Sequence, residues 1–344
     1  MTRMTSPEER ADLAVVIGRF QPFHLGHLAL LEHALAVAPR ALLVVGSASG
    51  PRQAKNPFSA EERVQTIKDS LAPEQLARVS FATVRDYYDE ARWAGAVKGA
   101  VAALSGGPVA LVGFHKDDSS SYLSIFPEWR ELALPRQAPI DGTALRRLYF
   151  EQPELAPELA AAVPAGVARF LEAFRSGPHF EPLREELAAL DQSRAKYGSG
   201  PFVTLDALVT YGERILLVER GGAPGKGQWA LPGGFLDGSE RLLNGALREL
   251  REETLIGASD AELRAALRAV AVFDHPQRSQ RGRTITHAHY FALPPIAAQP
   301  PSVKGADDAR AAQWLPIAEL PRMTEQLFED HYQIIDHFLR VSSD

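Results

Sequence analysis

The sequence predicts two domains of different class: an α/β domain on a doubly wound parallel sheet, then an α+β domain. Three observations predict this. Short apolar runs closed by glycine alternate with helically spaced stretches up to about residue 150. After residue 201 the pattern turns β-rich. Within that second part, one strong helix at about 241–254 carries a dense set of acidic residues. A chain of 344 residues is also long for a single hydrophobic core.

In chain order, LAVVI at 13–17 is an unbroken apolar run ending at Gly18, the pattern of a buried parallel strand. A loop leads to helically spaced apolar residues over 25–38, then to a second buried strand, ALLVVG, at 41–46. Together these read as a βαβ unit. Ser59 with Glu62 three residues on is a capping box that opens a helix over 59–71. RVSFATV is a third strand, ARWAGAVKGAVAAL a helix and PVALVGF a further strand. Residues 151–200 are rich in Ala, Glu and Pro, with helical patches GVARFLEAF and PLREELAALDQSRAKY. The expected division is a first domain over 1–180, a connector over 181–200 and a second domain over 201–344. YGSGP at 197–201 is the expected hinge, because glycine and proline punctuate it. Beyond it, FVTLDALVTYGERILLVER reads as two strands joined at Gly212, with further strands near 267–274 and 284–293.

Composition excludes several chemistries. There is no cysteine, so disulfides, thiolate nucleophiles and Cys-based zinc sites are out. A net charge of −6 argues against a dedicated nucleic-acid or membrane-surface protein. No apolar window is long enough to span a membrane, and the absence of any address leaves the cytoplasm as the expected compartment.

The stretch IGRFQPFHLGH at 17–27 sets His24 and His27 three residues apart, where the first strand gives way to the first helix. Ligands of open α/β sheets sit at the carboxyl ends of strands. A helix N-terminus there offers free N–H groups and partial positive charge to an anion. Both imidazoles can donate to phosphate oxygens, Gly26 permits close backbone approach and Arg19 adds a fixed charge. A metal reading is weaker, since the pair lacks a third ligand within the motif. Packing at a helix start is the bland alternative.

GRFQPFHLGH resembles the nucleotidyltransferase superfamily marked by His-x-Gly-His, whose domain is Rossmann-like, and more narrowly its nicotinamide mononucleotide (NMN) adenylyltransferases of archaeal and bacterial bifunctional type. GSASGPRQAKNPFSAEER at 46–63 is similar to that family's second-strand segment. GFHKDDSSSYLSIFPEW at 113–129 resembles its fourth-strand region, and IDGTALRRLYF at 140–150 its second signature, Ile-Ser-x-Thr-x-x-Arg. The resemblance implies adenylyl transfer from ATP to NMN. It assigns ATP and phosphate binding to Gly18, Phe20, Gly26, Thr143 and Arg146, catalysis to His24, His27, Arg19 and Arg146, and NMN binding to Asn56, Arg63 and Trp93. Asp141 stands where the superfamily has Ser or Asn, and is read as a helix N-cap. Pantetheine-phosphate or FMN adenylyl transfer is the rival within the superfamily. The segments around Asn56, Trp93 and Ser119–Tyr122 argue against it.

In GGFLDGSERLLNGALRELREETLIG at 233–257, Glu249, Glu252 and Glu253 fall on one helical face. Three like charges repel, and hard oxygen ligands converging on one face suit Mg²⁺ or Mn²⁺. A solvated helix face is the alternative. The stretch is similar to the Nudix box through Gly234, Glu240, Arg248, Glu249, Leu250, Glu252, Glu253 and Ile256. Leu255 replaces the box's second glycine, and Gly257 is expected to end the helix instead. The resemblance implies a mixed sheet between helices and metal-assisted attack of water on a diphosphate. Glu249, Glu252 and Glu253 would be the ligands, Glu249 and Glu253 the catalytic pair, and Arg248 would orient the carboxylates. The general base is a box glutamate, or Asp307 or Asp308.

Arg278, Arg281 and Arg283 follow in a basic loop near His287 and His289, suited to a diphosphate substrate or to a solvated hairpin. Trp229 is read as packing. The two resemblances together imply a bifunctional enzyme of NAD metabolism with ADP-ribose as the second substrate. The expected partners are ATP, NMN and ADP-ribose, with no nucleic acid or membrane, and a homo-oligomer. The alternative function is an adenylyltransferase whose second domain senses ADP-ribose or NAD without hydrolysis.

Overall fold

A computed structural model of the chain describes residues 11–114, 125–134 and 141–341. The chain forms two compact units, Met1–Arg184 and Glu185–Asp344. The boundary falls inside a continuous helix, Phe180–Tyr197, which occupies most of the expected connector.

The first unit carries a five-stranded sheet. Its strands are β1 (Leu13–Gly18), β2 (Arg40–Ala48), β3 (Val79–Arg85), β4 (Val109–Gly113) and β5 (Arg130–Ala133), ordered β3-β2-β1-β4-β5. Every pairing is parallel. Leu13, Ala14, Val15 and Val16 are all almost fully buried, as expected of a strand covered on both faces. Helices α1 (Leu25–Val37), α2 (Ala60–Lys68), α3 (Pro73–Leu76) and α4 (Glu90–Ala102) connect the strands. The Ser59–Glu62 capping box forms at the start of α2. Since β2 lies on one side of β1 and β4 on the other, the strand order reverses at β1. That reversal opens a crevice at the end of β1, where Gly18 leads into His24. Then follow α5 (Gly142–Glu151), α6 (Pro157–Ala162), α7 (Ala165–Arg175) and α8 (Phe180–Tyr197). An aromatic cluster of Phe58, Tyr149, Phe170, Phe174 and Phe180 ties α5, α7 and the start of α8 to the segment before α2.

The second unit carries a seven-stranded mixed sheet. The strands are β6 (Phe202–Tyr211), β7 (Arg214–Arg220), β8 (Trp229–Ala230), β9 (Gly233–Phe235), β10 (Leu267–Phe273), β11 (Thr284–Leu293) and β12 (Ala309–Pro316). The main order is β10-β11-β6-β7-β12, with β8 on β7 and β9 on β6. β6 and β11 run parallel; the other neighbours are antiparallel. Side chains alternate along β6. Ala207, Val209 and Tyr211 join a core with Leu247 and Leu250 of α9 (Leu242–Thr254) and Leu263 of α10 (Asp260–Ala266). Asp206 and Thr210 fall on the alternate positions. Asp206 lies 4.0 Å from His331, the first residue of α11 (His331–Leu339).

The end of α9 departs from expectation. Gly257 does not terminate it. Leu255 itself takes the left-handed C-cap conformation (φ 43°, ψ 38°), and its N–H bonds to the Arg251 carbonyl. Where the box has its second glycine, this chain holds a leucine strained into the left-handed region that glycine enters freely.

Candidate functional sites

At the crevice of the first unit, His24 and His27 cap α1 reciprocally. His24 Nδ1 accepts the His27 N–H at 3.4 Å and His27 Nδ1 accepts the His24 N–H at 3.3 Å. The rings stack with centroids 3.7 Å apart. With both Nδ1 atoms accepting, the proton of each neutral ring belongs on Nε2. The pair therefore presents N–H donors while closing a capping box at the helix start, where the His27 N–H also bonds the His24 carbonyl at 2.8 Å. Gly26 leaves room for this arrangement, since a Cβ there would sit 3.1 Å from the His24 ring and press it aside.

Arg146, on α5, is buried. Its Nη1 donates to the Gln21 carbonyl at 2.6 Å and its Nη2 to Thr143 Oγ1 at 3.1 Å. Burial, then repulsion from Arg19, lowers its pKa to about 10. Two guanidinium groups held close enough to repel make an anion site. Asp141 is the N-cap of α5, accepting the Thr143 N–H at 2.8 Å, so its carboxylate serves the helix.

Arg63 is a correction. Expected to bind NMN, it is 2% exposed. It donates to the carbonyls of Arg19, Gly46, Ser47 and Ser59. It positions the loops after β1 and β2 instead. Gln21 acts likewise and was missed by sequence reasoning. Its side chain brackets the Phe58 main chain, donating to the carbonyl at 2.8 Å and accepting the N–H at 3.1 Å. Asn56 has a buried Oδ1 with no hydrogen-bond partner among the described residues. Trp93 is partly buried and packs beside Phe126, centroids 5.8 Å apart. Residues 119–122 lie outside the described residues.

In the second unit, α9 presents the acidic face. Arg248 is its hub. It bonds both oxygens of Glu240 (3.1 and 2.8 Å), Glu249 (2.9 Å), Glu252 (2.8 Å) and the Phe235 carbonyl (3.2 Å). Glu253 is 7% exposed and accepts the Gly233 N–H at 3.0 Å. Burial, with Glu249 adding repulsion, raises its pKa to about 8. Burial also raises that of Glu249. A Cβ on Gly234 would meet Glu249 Oε1 at 2.6 Å, so the glycine admits the carboxylate.

A divalent cation is implied by the box, and the donor set fits one. Two desolvated, mutually repelling carboxylates are hard oxygen donors in need of positive charge. As the side chains stand, no three such groups converge on one point among the described residues. Glu252 is turned to Arg248. The end of α9 also bonds the later loop, through Lys304 N–H to the Thr254 carbonyl and Ala306 N–H to the Glu253 carbonyl. This brings Asp307 and Asp308 within electrostatic range of Glu249 and Glu253 respectively.

The three arginines of the basic loop separate. Arg278 is a correction: its guanidinium is buried in a paired contact with Asp330 at 2.7 and 2.9 Å, and so holds the start of α11. Arg283 bonds the Asp274 carbonyl. Arg281 stands over Phe235, the residue after Gly234. Arg220, absent from the sequence reading, is near enough to Glu253 to offset its charge. Trp229 lies in β8, where its main-chain carbonyl accepts the Phe328 N–H at 2.8 Å.

Fold and sites together define a class: a nucleotidyltransferase of His-x-Gly-His type joined to a Nudix domain. The cytidylyltransferase-like family model matches residues 15–94 and the NUDIX domain model residues 201–338. The chain is similar to a nicotinamide/nicotinic acid mononucleotide adenylyltransferase of Acinetobacter baylyi. It is 36% identical over 185 residues, 53% of this chain and 96% of the relative. It is also similar to an ADP-ribose pyrophosphatase of Methanocaldococcus jannaschii, 31% identical over 140 residues, 41% of this chain and 74% of the relative. A crystal structure of a bifunctional NMN adenylyltransferase/ADP-ribose pyrophosphatase from Francisella tularensis, complexed with AMP and a manganese ion, matches with a TM-score of 0.90. It is 33% identical, over 96% of this chain and 99% of that one. The chain belongs to the family of bifunctional NMN adenylyltransferase/ADP-ribose pyrophosphatases.

Proposed function

We propose that the first unit transfers AMP from ATP to NMN, giving NAD and pyrophosphate, and that the second hydrolyses ADP-ribose to AMP and ribose 5-phosphate. One observation carries this reading. A single chain holds a cationic cradle at a helix start, Arg19 with Arg146 and the histidine pair, and a separate helix face where buried Glu253 and half-buried Glu249 repel each other.

In the first unit, the 5′-phosphate oxygen of NMN attacks the α-phosphorus of ATP, and the bond to the leaving pyrophosphate breaks. The chain supplies no nucleophile; position and charge do the catalysis. The Nε2–H groups of His24 and His27 donate to phosphate oxygens, and Arg19 and Arg146 neutralise the charge that develops. Thr143, with Gly18, Phe20 and Gly26, completes the phosphate site. The orphan Asn56 Oδ1 supports NMN as acceptor, because a carboxamide donates hydrogen bonds and a nicotinate carboxylate does not. Trp93 supplies the neighbouring ring.

In the second unit, Glu249, Glu252 and Glu253 would hold Mg²⁺, with Mn²⁺ as the alternative. When bound, that cation polarises the diphosphate and activates water. Arg248 orients the carboxylates, and a box glutamate, Asp307 or Asp308 takes the water's proton. The protein is proposed to work in the cytoplasm as a homo-oligomer, without nucleic acid or membrane. Among the described residues no helix is long and apolar enough to cross a bilayer.

The test is Mg²⁺-dependent release of AMP from ADP-ribose by the purified full chain. Glu253→Gln should lower that rate by about 100-fold or more and leave NAD synthesis unchanged. Tight ADP-ribose binding with no turnover by the unmodified chain would favour a sensor instead.

A further inference from the structure

Phe235 follows Gly234 and keeps about half its surface, 47%, open to solvent. Its carbonyl accepts from Arg248, so the residue stands at the rim of the carboxylate cluster. Two neighbours fix the ring. Phe202 meets it edge-on, centroids 5.7 Å apart at 79°. The Arg281 guanidinium carbon stands 5.3 Å from its centroid. Arg281 is itself held, 3.7 Å from the Glu329 carboxylate and 5.9 Å from the Phe328 ring centre. Solvent exposure of so large a ring forgoes hydrophobic stabilisation. Its contacts meanwhile remove the rotamer freedom that ligand binding would otherwise have to freeze.

We propose that Phe235, backed by Arg281, is the stacking ledge for the nucleobase of the diphosphate substrate. This rests on reading the second unit as a nucleoside diphosphate hydrolase. The reacting diphosphate must lie against Glu249 and Glu253. The Gly233 N–H that holds Glu253 is only two residues from Phe235. A 5′-nucleotide carries its base one ribose away from its phosphate, so a ledge beside the cluster meets the base while the phosphates meet the carboxylate end. Every base has a flat π face, so the ledge selects for the presence of a base over its identity. Arg281 gives the ledge a positive back, favourable to an anionic ligand.

The test compares ADP-ribose with a base-free diribosyl diphosphate in steady-state hydrolysis by the full chain. Phe235→Ala should raise KM for ADP-ribose about tenfold. Its kcat should fall by no more than about twofold, since the ring makes no contact with the reacting atoms. The base-free substrate should show no comparable rise, and Phe235→Trp should restore KM for ADP-ribose. An unchanged KM, or an equal rise on both substrates, overturns the ledge. A second readout is independent of turnover. Fluorescence of the Phe235→Trp chain, after subtraction of the unmodified protein's signal, should be quenched by ADP-ribose and not by ribose 5-phosphate. Quenching without hydrolysis would overturn the hydrolase reading and keep the ledge; hydrolysis without quenching would do the reverse.

Discussion

At His24 and His27 one local bond pattern decides the chemistry. Because each Nδ1 accepts a main-chain N–H, the rings face outward as neutral Nε2–H donors. A cationic pair stacked at 3.7 Å would repel itself. His27→Ala should therefore reduce NAD synthesis by about 10²- to 10³-fold, as loss of a preorganised donor does. It should also cost the first unit about 1 kcal/mol through the lost cap. ADP-ribose hydrolysis by the same preparation should be unchanged, and near-normal synthesis would sink the cradle. The histidines, Arg19 and Arg146 were legible because the motif is local. Arg63 and Gln21 were not. Arg63 gathers carbonyls up to 44 residues away, and Gln21 brackets a main chain 37 residues on. Such convergence leaves no spacing for a sequence pattern to record. The same holds for Arg278, whose buried partner Asp330 is 52 residues distant.

The box helix shows what a motif match conveys about an element and what it omits. Its length and acidic face follow from periodicity, and its left-handed C-cap does not. Leu255 holds a positive φ with its side chain 55% exposed, so little packing offsets the strain. Leu255→Gly should stabilise the second unit by about 1 kcal/mol. A rise in its melting temperature checks this, and a fall would mean that the Leu255 side chain contributes more than its exposure implies. The strands β1, β2, β4, β6 and β11 were legible as long apolar or alternating runs. β8 and β9, of two and three residues, are too short to show a period. They exist because β7 and β6 offer them partners. β12 pairs with β7 through ARAAQWLP, whose burial does not alternate regularly, so tertiary pairing overrode a weak local pattern.

For the whole molecule, the two units place different demands on pH. The second buries His331, whose Nδ1 accepts the Leu231 N–H at 2.9 Å just before β9, whose Gly233 N–H holds Glu253. Burial, reinforced by Arg278, Arg220 and Arg281 and opposed by Asp330, lowers its pKa to about 3. Unfolded, the ring takes its proton near pH 6.5; folded, it stays neutral down to about 3. The unfolded state binds the extra proton in that window, so stability falls as pH drops from 6.5 towards 3. The slope is about 1.4 kcal/mol per pH unit for one proton. The second unit's melting transition, identified by its upward shift with ADP-ribose, should therefore fall steeply below pH 6.5. In His331→Gln an amide oxygen can still accept the Leu231 N–H, and nothing at that position titrates. The pH dependence of that transition should flatten there, while the first unit's transition keeps its profile. Equal slopes for variant and unmodified chain would mean that another group governs acid sensitivity instead; buried Asp206, whose pKa is raised, acts in the opposite direction, because its folded form binds the extra proton. His331 would then hold the segment leading into β9 without setting the pH at which it is lost.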